Sequence, residues 1–516
     1  MSNYVLQNSF DVANVPSHDF SIEKRRNLRV TDNNNGNYAS NSILFDLATI
    51  SNSNMYPSWH EAVLTVPITI TVDTPSGTAN SDLRRYATAL KNGTTTLIDG
   101  FNITLSNMPV VGYQRMNVGK VAYELATEWS ADDWNRSKEW GAVWEDGTDI
   151  NYSTAGTSTK GIPNRPSTSA NLKARIKHAV VAASDDIRSV FQQEATDQKR
   201  ELSKFIPTSA TNASIEIMAR IPLGHLDDYF RKCPLTKNSL YRMEFFINTS
   251  NFSIKMEANE YKELTSMRTS YGFNPLQIGN TDHWESTAAT ALTVDMAIKN
   301  NALKACVLDI PMYELSPTAE TSYLRDAVKT FNYNKVLHQK LSVVQKDQPT
   351  GNLLISSGTS RARKLVILPC YEYPASGANI ATSDILSPTS SFASGFLSSP
   401  YAHVSDFNVI VSGVPLFNTN LNTPVEFFNE FKRETLNNGV DTAVLNASMV
   451  DLYQYQSQYG AIVVDLTQNS KEKDDDLSKA YSVTFTNSTN LPCSYLCYLY
   501  YEATVSINAE TGQIVL

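Results

Sequence analysis

The side chains that most often do chemistry are sparse here and do not converge in sequence. Seven histidines stand at His18, His60, His178, His225, His283, His338 and His403. None shares the His-x-His or His-Glu-x-x-His spacing that aims two imidazoles at one metal ion. His225 lies near Asp227 and Asp228, but the segment passes from strand to loop and reads as solvent-facing polar groups. The five cysteines, Cys233, Cys306, Cys370, Cys493 and Cys497, are odd in number and scattered. Cys493-x-x-x-Cys497 lacks partners at zinc-like spacing, so buried free thiols are expected. Neither a Gly-x-x-x-x-Gly-Lys phosphate loop nor a Gly-x-Ser-x-Gly nucleophile elbow occurs. No catalytic, cofactor-binding or metal-binding residue is assigned, and no enzymatic activity or cofactor is expected.

Binding chemistry has two candidate stretches. Trp129, Trp134, Trp140 and Trp144 fall within "EWSADDWNRSKEWGAVWED", and spaced aromatics beside acids suit the faces of sugar rings. That keeps a carbohydrate-binding β-sandwich, spike or lectin-like, as the alternative function. The commoner use of such a cluster is to pack a loop onto its own module or a neighbouring subunit. Lys24, Arg25, Arg26 and Arg29 form a small basic cluster in residues 1–40, which read as an extended arm. The arm is either a solvated terminus or a contact for a neighbour, a minor protein or phosphates.

The elements that must position these residues are β-rich. A chain of 516 residues suits two or three domains. Its 41% hydrophobic and 18% charged residues read as globular, and 25 Tyr and 20 Phe favour strands. A net charge of −9 argues against a sequence-specific nucleic-acid binder, which needs a basic footprint. The start lacks a basic segment followed by an apolar one, and no apolar run approaches the ~18–20 residues that span a bilayer. A soluble protein made inside a cell is expected, so the Asn-x-Ser/Thr sequons at Asn92, Asn151, Asn248 and Asn446 read as by-products of polar loops.

One phrase occurs twice. "FNITLSNMPVV" from Phe101 and "FNVIVSGVPLF" from Phe407 lie 306 residues apart and share Phe101/Phe407, Asn102/Asn408, Ser106/Ser412 and Pro109/Pro415. Each alternates apolar and polar residues, then reaches a turn pair whose second residue tolerates positive φ. A helix follows each copy. Thr423, Pro424 and Glu426 make a capping box ahead of Val425, Phe427, Phe428 and Phe431. Asn117, in the same place, precedes Val118, Val121, Ala122, Leu125, Ala126 and Trp129. Upstream, "EAVLTVPITITV" aligns with "RKLVILPCYEYP" through Pro67 and Pro369, and "NSILFDLATI" with "NKVLHQKLSV". Two homologous modules in tandem are expected. Many strands with few helices point to an all-β double sandwich.

The order of these segments resembles the double jelly-roll major capsid proteins of the virophage and polinton-like virus group. "NSILFDLATISNSNMYPSWHEAVLTVPI", "LKNGTTTLIDGFNITL", "IPLGHLDDYFRKCPLTKNSLYRMEF" and "ACVLDIPMYELSP" are similar to the family's first roll. "VKTFNYNKVLHQKL", "RARKLVILP" and "FNVIVSGVPLFNTNLNTPVEFFNEF" are similar to the opening of its second. The resemblance implies an arm over 1–40, a first jelly roll over 41–315 and a second over 316–516. Residues 128–205 fall outside the resemblance and read as a long insertion in the first roll, with a helix carrying Leu172, Ile176, Val180, Ala183, Ile187 and Val190 on one stripe. The implied function is a structural major capsid protein whose homotrimers are pseudo-hexameric capsomers of an icosahedral dsDNA virus shell. Its partners would be other copies of itself, penton and minor capsid proteins. It would be made in the host cell and reside in the virion.

Overall fold

The duplicated phrase folds the same way twice. Ser106 and Asn107 take φ of 50° and 67°, and Ser412 and Gly413 take 49° and 86°. Two successive positive φ values make the type I′ turn, whose twist matches that of a hairpin. The flanking strands pair Leu105 with Met108 and Val411 with Val414. Phe101, Ile103, Phe407 and Val409 are fully buried, and each such side chain contributes roughly 1.5–3 kcal/mol.

The computed structural model describes residues 21–38, 41–48, 54–73, 86–90, 94–114, 117–127, 206–207, 212–257, 260–269, 275–280, 290–298, 305–371, 404–437, 452–457, 460–467, 476–489 and 492–515. The first half opens with β1 (Ile22–Thr31), β2 (Ser42–Asp46), β3 (Tyr56–Pro57), β4 (Val63–Asp73) and β5 (Tyr86–Leu90). It continues with β6 (Ile98–Leu105), β7 (Met108–Gln114), α1 (Asn117–Thr127), β8 (Ile206–Pro207), β9 (Asn212–Pro222) and α2 (Asp228–Lys232). Next come β10 (Tyr241–Ile247), β11 (Ser250–Glu257), β12 (Glu260–Thr269), β13 (Leu276–Asn280), β14 (Thr290–Ile298) and β15 (Val307–Leu315). Helix α3 (Pro317–Leu324) leads to β16 (Val328–Val344), β17 (Leu353–Thr359), β18 (Ala362–Tyr371), β19 (Val404–Val411), β20 (Val414–Pro415) and α4 (Pro424–Asn437). The chain ends with α5 (Leu452–Ser457), β21 (Ile462–Asp465), β22 (Lys479–Asn487), β23 (Cys493–Asn508) and β24 (Ile514–Val515).

Strand pairing gives the winding. In the first half β15 lies between β1 and β4, and β9 pairs with the other side of β4. The second sheet runs β2-β10-β6-β7. In the second half the two sheets run β16-β23-β18-β21 and β17-β22-β19-β20. With β11–β14 and the short β24 set aside, each time the first strand lies beside the last and the second beside the next to last, the winding of a jelly roll. Each pair of sheets encloses its own core. One joins Phe45, Leu64, Phe101, Phe245 and Ile310, and the other joins Ile355, Leu365, Phe407, Val483 and Leu499.

The repeated proline has a physical reason. On one side of β4, β15 pairs as far as Thr65 and β14 takes over at Ile68, leaving Pro67 at the changeover. Pro369 of β18 lies past the end of β21, which stops opposite Ile367. A residue without an N–H fits where a ladder is interrupted.

Two expectations are corrected, and one is extended. Residues 22–31 are not an arm but strand β1, paired with β15 from Ile22↔Leu315 to Thr31↔Val307. Its counterpart is β16, whose Val328 follows Ile22 by the same 306 residues that separate the two phrases. "NSILFDLATI", which forms β2, therefore corresponds in the winding to β17 and not to "NKVLHQKLSV" of β16. The first roll also has a second enlargement between β10 and β15. There β14, β11 and β12 extend the sheet beyond β4, and β13 pairs with β5.

Candidate functional site, the junction of the two rolls

Helix α1 is apolar and polar by turns, yet every one of its described side chains is buried, Lys120 and Glu124 included. Buried charges persist only when paired and hydrogen-bonded. Lys120 Nζ donates to the Leu226 carbonyl at 2.7 Å and to Asp227 Oδ2 at 3.2 Å, and lies 3.6 Å from Glu124 Oε1. Burial opposes the charge on Lys120, but Glu124 and Asp227 outweigh it and hold the ammonium above its ordinary pKa. Arg231 completes the group, 3.4 Å from Glu124 Oε2 and donating to the Gly224 carbonyl at 2.7 Å. Asp227 also caps α2, accepting from the Tyr229 N–H at 2.9 Å. Asn117, expected to cap α1 from outside, is instead its first residue. Its buried amide has no hydrogen-bond partner among the described residues.

The far side of α1 reaches the second roll. Tyr123 donates its hydroxyl proton to Glu434 Oε2 of α4 at 3.1 Å, and its ring lies 6.3 Å from that of Tyr500 in β23. Lys364 of β18 sits 3.6 Å from Glu434, with its ammonium 5.1 Å and 4.7 Å from the Tyr123 and Tyr500 ring centres. A cation between two ring faces and a carboxylate is held by cation–π and ionic attraction together. Beside it, Tyr229 of α2 packs 5.3 Å from Tyr333 of β16, whose hydroxyl donates to the Val110 carbonyl at 2.6 Å.

A third contact is made by the C-terminal turn. The Lys237 N–H donates to the Ala509 carbonyl at 2.7 Å, and Asn238 Nδ2 to the Glu510 carbonyl at 2.9 Å. Gly512 has φ +66°, and a Cβ there would meet the Lys237 carbonyl oxygen at 2.5 Å. Only glycine fits.

Helix α4 sits on its own roll in another way. Glu426 Oε2 accepts from the Thr423 N–H at 2.8 Å, the expected capping box, and Phe427 and Phe431 are buried. Its remaining face looks outward, with Val425 49% exposed and Asn429 exposed.

The structure distributes the other sequence candidates widely. Trp129, Trp134, Trp140 and Trp144, the stripe from Leu172 to Val190, and His18, His178, His283 and His403 lie outside the described residues. The basic cluster rides on edge strand β1. There Arg25 pairs with Glu61 at 3.2 Å and lies over the Tyr313 ring, and Arg29 is 3.6 Å from Asp309. Charge on an open edge discourages strand-to-strand aggregation. His225, expected to face solvent, is half-buried, and burial first, then Arg231 and His60, hold its pKa well below the ordinary value. Asp227 is buried outright because Lys120 neutralises it. All five cysteines are free and buried. Burial pushes the Cys233 thiol to about 11 and Cys306 to about 12, so neither is a ready nucleophile. Asn248 is buried too, against its use as a glycan acceptor. Sequence reasoning missed Lys120, Glu124, Lys364 and Glu434. The one available signal was a lysine–glutamate pair at i,i+4 inside an apolar helix.

No family model matches the chain, and no curated protein matches it in sequence. Solved structures do match in fold. A chain in the cryo-EM structure of the Sputnik virophage is similar over 96% of this chain and 88% of its own, at 11% identity and a TM-score of 0.53. The mavirus major capsid protein is similar over 98% of this chain and 92% of its own, at 12% identity and a TM-score of 0.51. The shared property is the fold, a double jelly roll.

Proposed function

We propose that this chain is a major capsid protein, a structural and not a catalytic subunit, whose trimers are pseudo-hexameric capsomers of an icosahedral virus shell. The observation that carries the proposal is the side-by-side packing of two rolls with one winding order through α1. Three such chains place six similar rolls around a threefold axis, which fills a hexagonal lattice site with closed symmetry. The nearly full-length likeness to the mavirus major capsid protein supports the same reading. In this reading the first roll begins at β1, the second follows Ser316, and residues 128–205 are an insertion of the first. Penton and minor capsid proteins close the shell where capsomers cannot, and the protein ends in the virion after synthesis in a host cell.

Pseudo-sixfold packing gives the outward face of α4 a partner. The contact that α1 makes with the second roll within one chain is repeated between chains, by α4 against the first roll of the next. The test is the mass and outline of the purified protein, by light scattering and particle imaging. The expected result is a hexagonal particle of about 172 kDa, three times the 57.2 kDa chain, or larger shells. Val425→Asp should leave a folded monomer that no longer forms it. A wild-type protein that stays monomeric at high concentration sinks the proposal.

A further inference from the structure

A lysine, an asparagine and a glutamate from three separate segments meet at the base of the junction. Lys237 lies in the turn between α2 and β10, with its side chain 8% exposed. Its Nζ donates to Asn54 Oδ1 at 3.0 Å and to Glu320 Oε1, and lies 4.8 Å from the centre of the Tyr56 ring. Glu320 stands in the first turn of α3 and also accepts from the Tyr56 hydroxyl at 3.0 Å. Behind them Tyr56, Leu315, Tyr323 and Ala509 form a small apolar cluster of their own. Asn54 itself is exposed.

Three segments far apart in sequence bring these groups to one nitrogen. An amine fixed beside a carboxamide, with a carboxyl hydrogen-bonded to the same nitrogen, has the parts of a self-catalysed amide exchange. We propose that Lys237 and Asn54 become joined by an intramolecular isopeptide bond, with Glu320 as the proton carrier.

The step balances without oxidant or activating cofactor. Glu320 takes a proton from the Lys237 ammonium along their hydrogen bond and frees the lone pair on Nζ. Nζ then attacks Asn54 Cγ, Glu320 passes the first proton to Nδ2, and the carboxylate so restored takes the second proton from Nζ. The Nζ–Cγ bond forms, the Cγ–Nδ2 bond breaks, and ammonia leaves through the exposed side of Asn54. The Lys237 hydrogen bond holds Glu320 below the usual carboxylate range against the opposing effect of burial, with Tyr56 assisting. The attack proceeds from the amine that the first proton transfer frees, beside the Tyr56 ring. The bond would close a loop of 183 residues that contains the whole 128–205 segment.

This inference is independent of the capsid reading, since it concerns one chain and its covalent state. Intact mass of the full-length protein, unfolded in denaturant, tests it. The expected mass is the sequence mass less one ammonia, with a digest fragment joining the peptides of Asn54 and Lys237. Lys237→Arg and Glu320→Gln should each restore the full mass, and both should migrate as a longer chain on a denaturing gel. A wild-type chain at full mass after prolonged incubation of the folded protein overturns the proposal. So does an ammonia loss that survives Lys237→Arg, which marks a succinimide at an asparagine instead.

Discussion

The two helices that follow the repeated phrase began as copies and now do different work. Residue for residue, at the shared offset of 306, Val121 of α1 matches Phe427 of α4, and both are buried. Tyr123 matches Asn429, and here the copies part. Tyr123 is fully buried against the second roll, whereas Asn429 is exposed. Lys120, at the centre of a buried ionic group, matches Glu426, which only closes a capping box at the surface. A duplicated element keeps the face that serves its own core. The other face diverges according to its neighbour: that of α1 meets the second roll, while Val425 and Asn429 on that of α4 are exposed.

That contrast is open to breakage by substitution. The largest effect is expected at Lys120→Met, which takes from Asp227 the ammonium it is buried against and from Glu124 one of its two cations. Urea unfolding should show a loss of about 3–5 kcal/mol, against less than about 0.5 kcal/mol for Glu426→Gln. Comparable losses at the two sites would mean that the copies are used alike. Tyr123→Phe removes the hydrogen bond to Glu434 and should cost about 1.5–3 kcal/mol, while Asn429→Ala in the isolated chain should be close to neutral. Thr423→Ala removes a cap and should cost about 1 kcal/mol by the same measurement.

The smallest effect is one of pH. The backbone N–H groups of Asn422 and Thr423, with the Thr423 hydroxyl, hold the Glu426 carboxyl below its ordinary pKa. A carboxyl lowered on folding stabilises above its unfolded pKa, and that stabilisation is lost as pH falls through the folded value. Between about pH 5 and pH 3 the Tm of wild type should therefore fall slightly more than that of Glu426→Gln. Parallel curves would show that the box contributes nothing.

The features legible in the sequence were those written locally. The turn pairs Ser106-Asn107 and Ser412-Gly413, the box from Thr423 to Glu426 and the strand prolines each state a backbone requirement within a few residues. Strand β1 was illegible because an edge strand exposed on most sides has no alternation to show. Four basic residues among ten look like a solvated arm. Missing β1 shifted the assigned counterpart of β16 by one strand. The junction was hidden for another reason. Lys120 finds Asp227 107 residues away, and Tyr123 finds Glu434 311 residues away. No spacing rule links such partners, since only the winding brings them together.

The glycine at 512 carries a consequence for synthesis. A ribosome releases the first roll long before the last residues exist, and N-terminal units fold as they emerge. The seat prepared by Lys237 and Ser239 stays vacant until Gly512 has been made. The strand that closes the second roll, β23, arrives barely earlier and must reach back to β16. The contact of the C-terminal turn with the first roll therefore forms only after both rolls have been synthesised, later than the elements that α1 packs against.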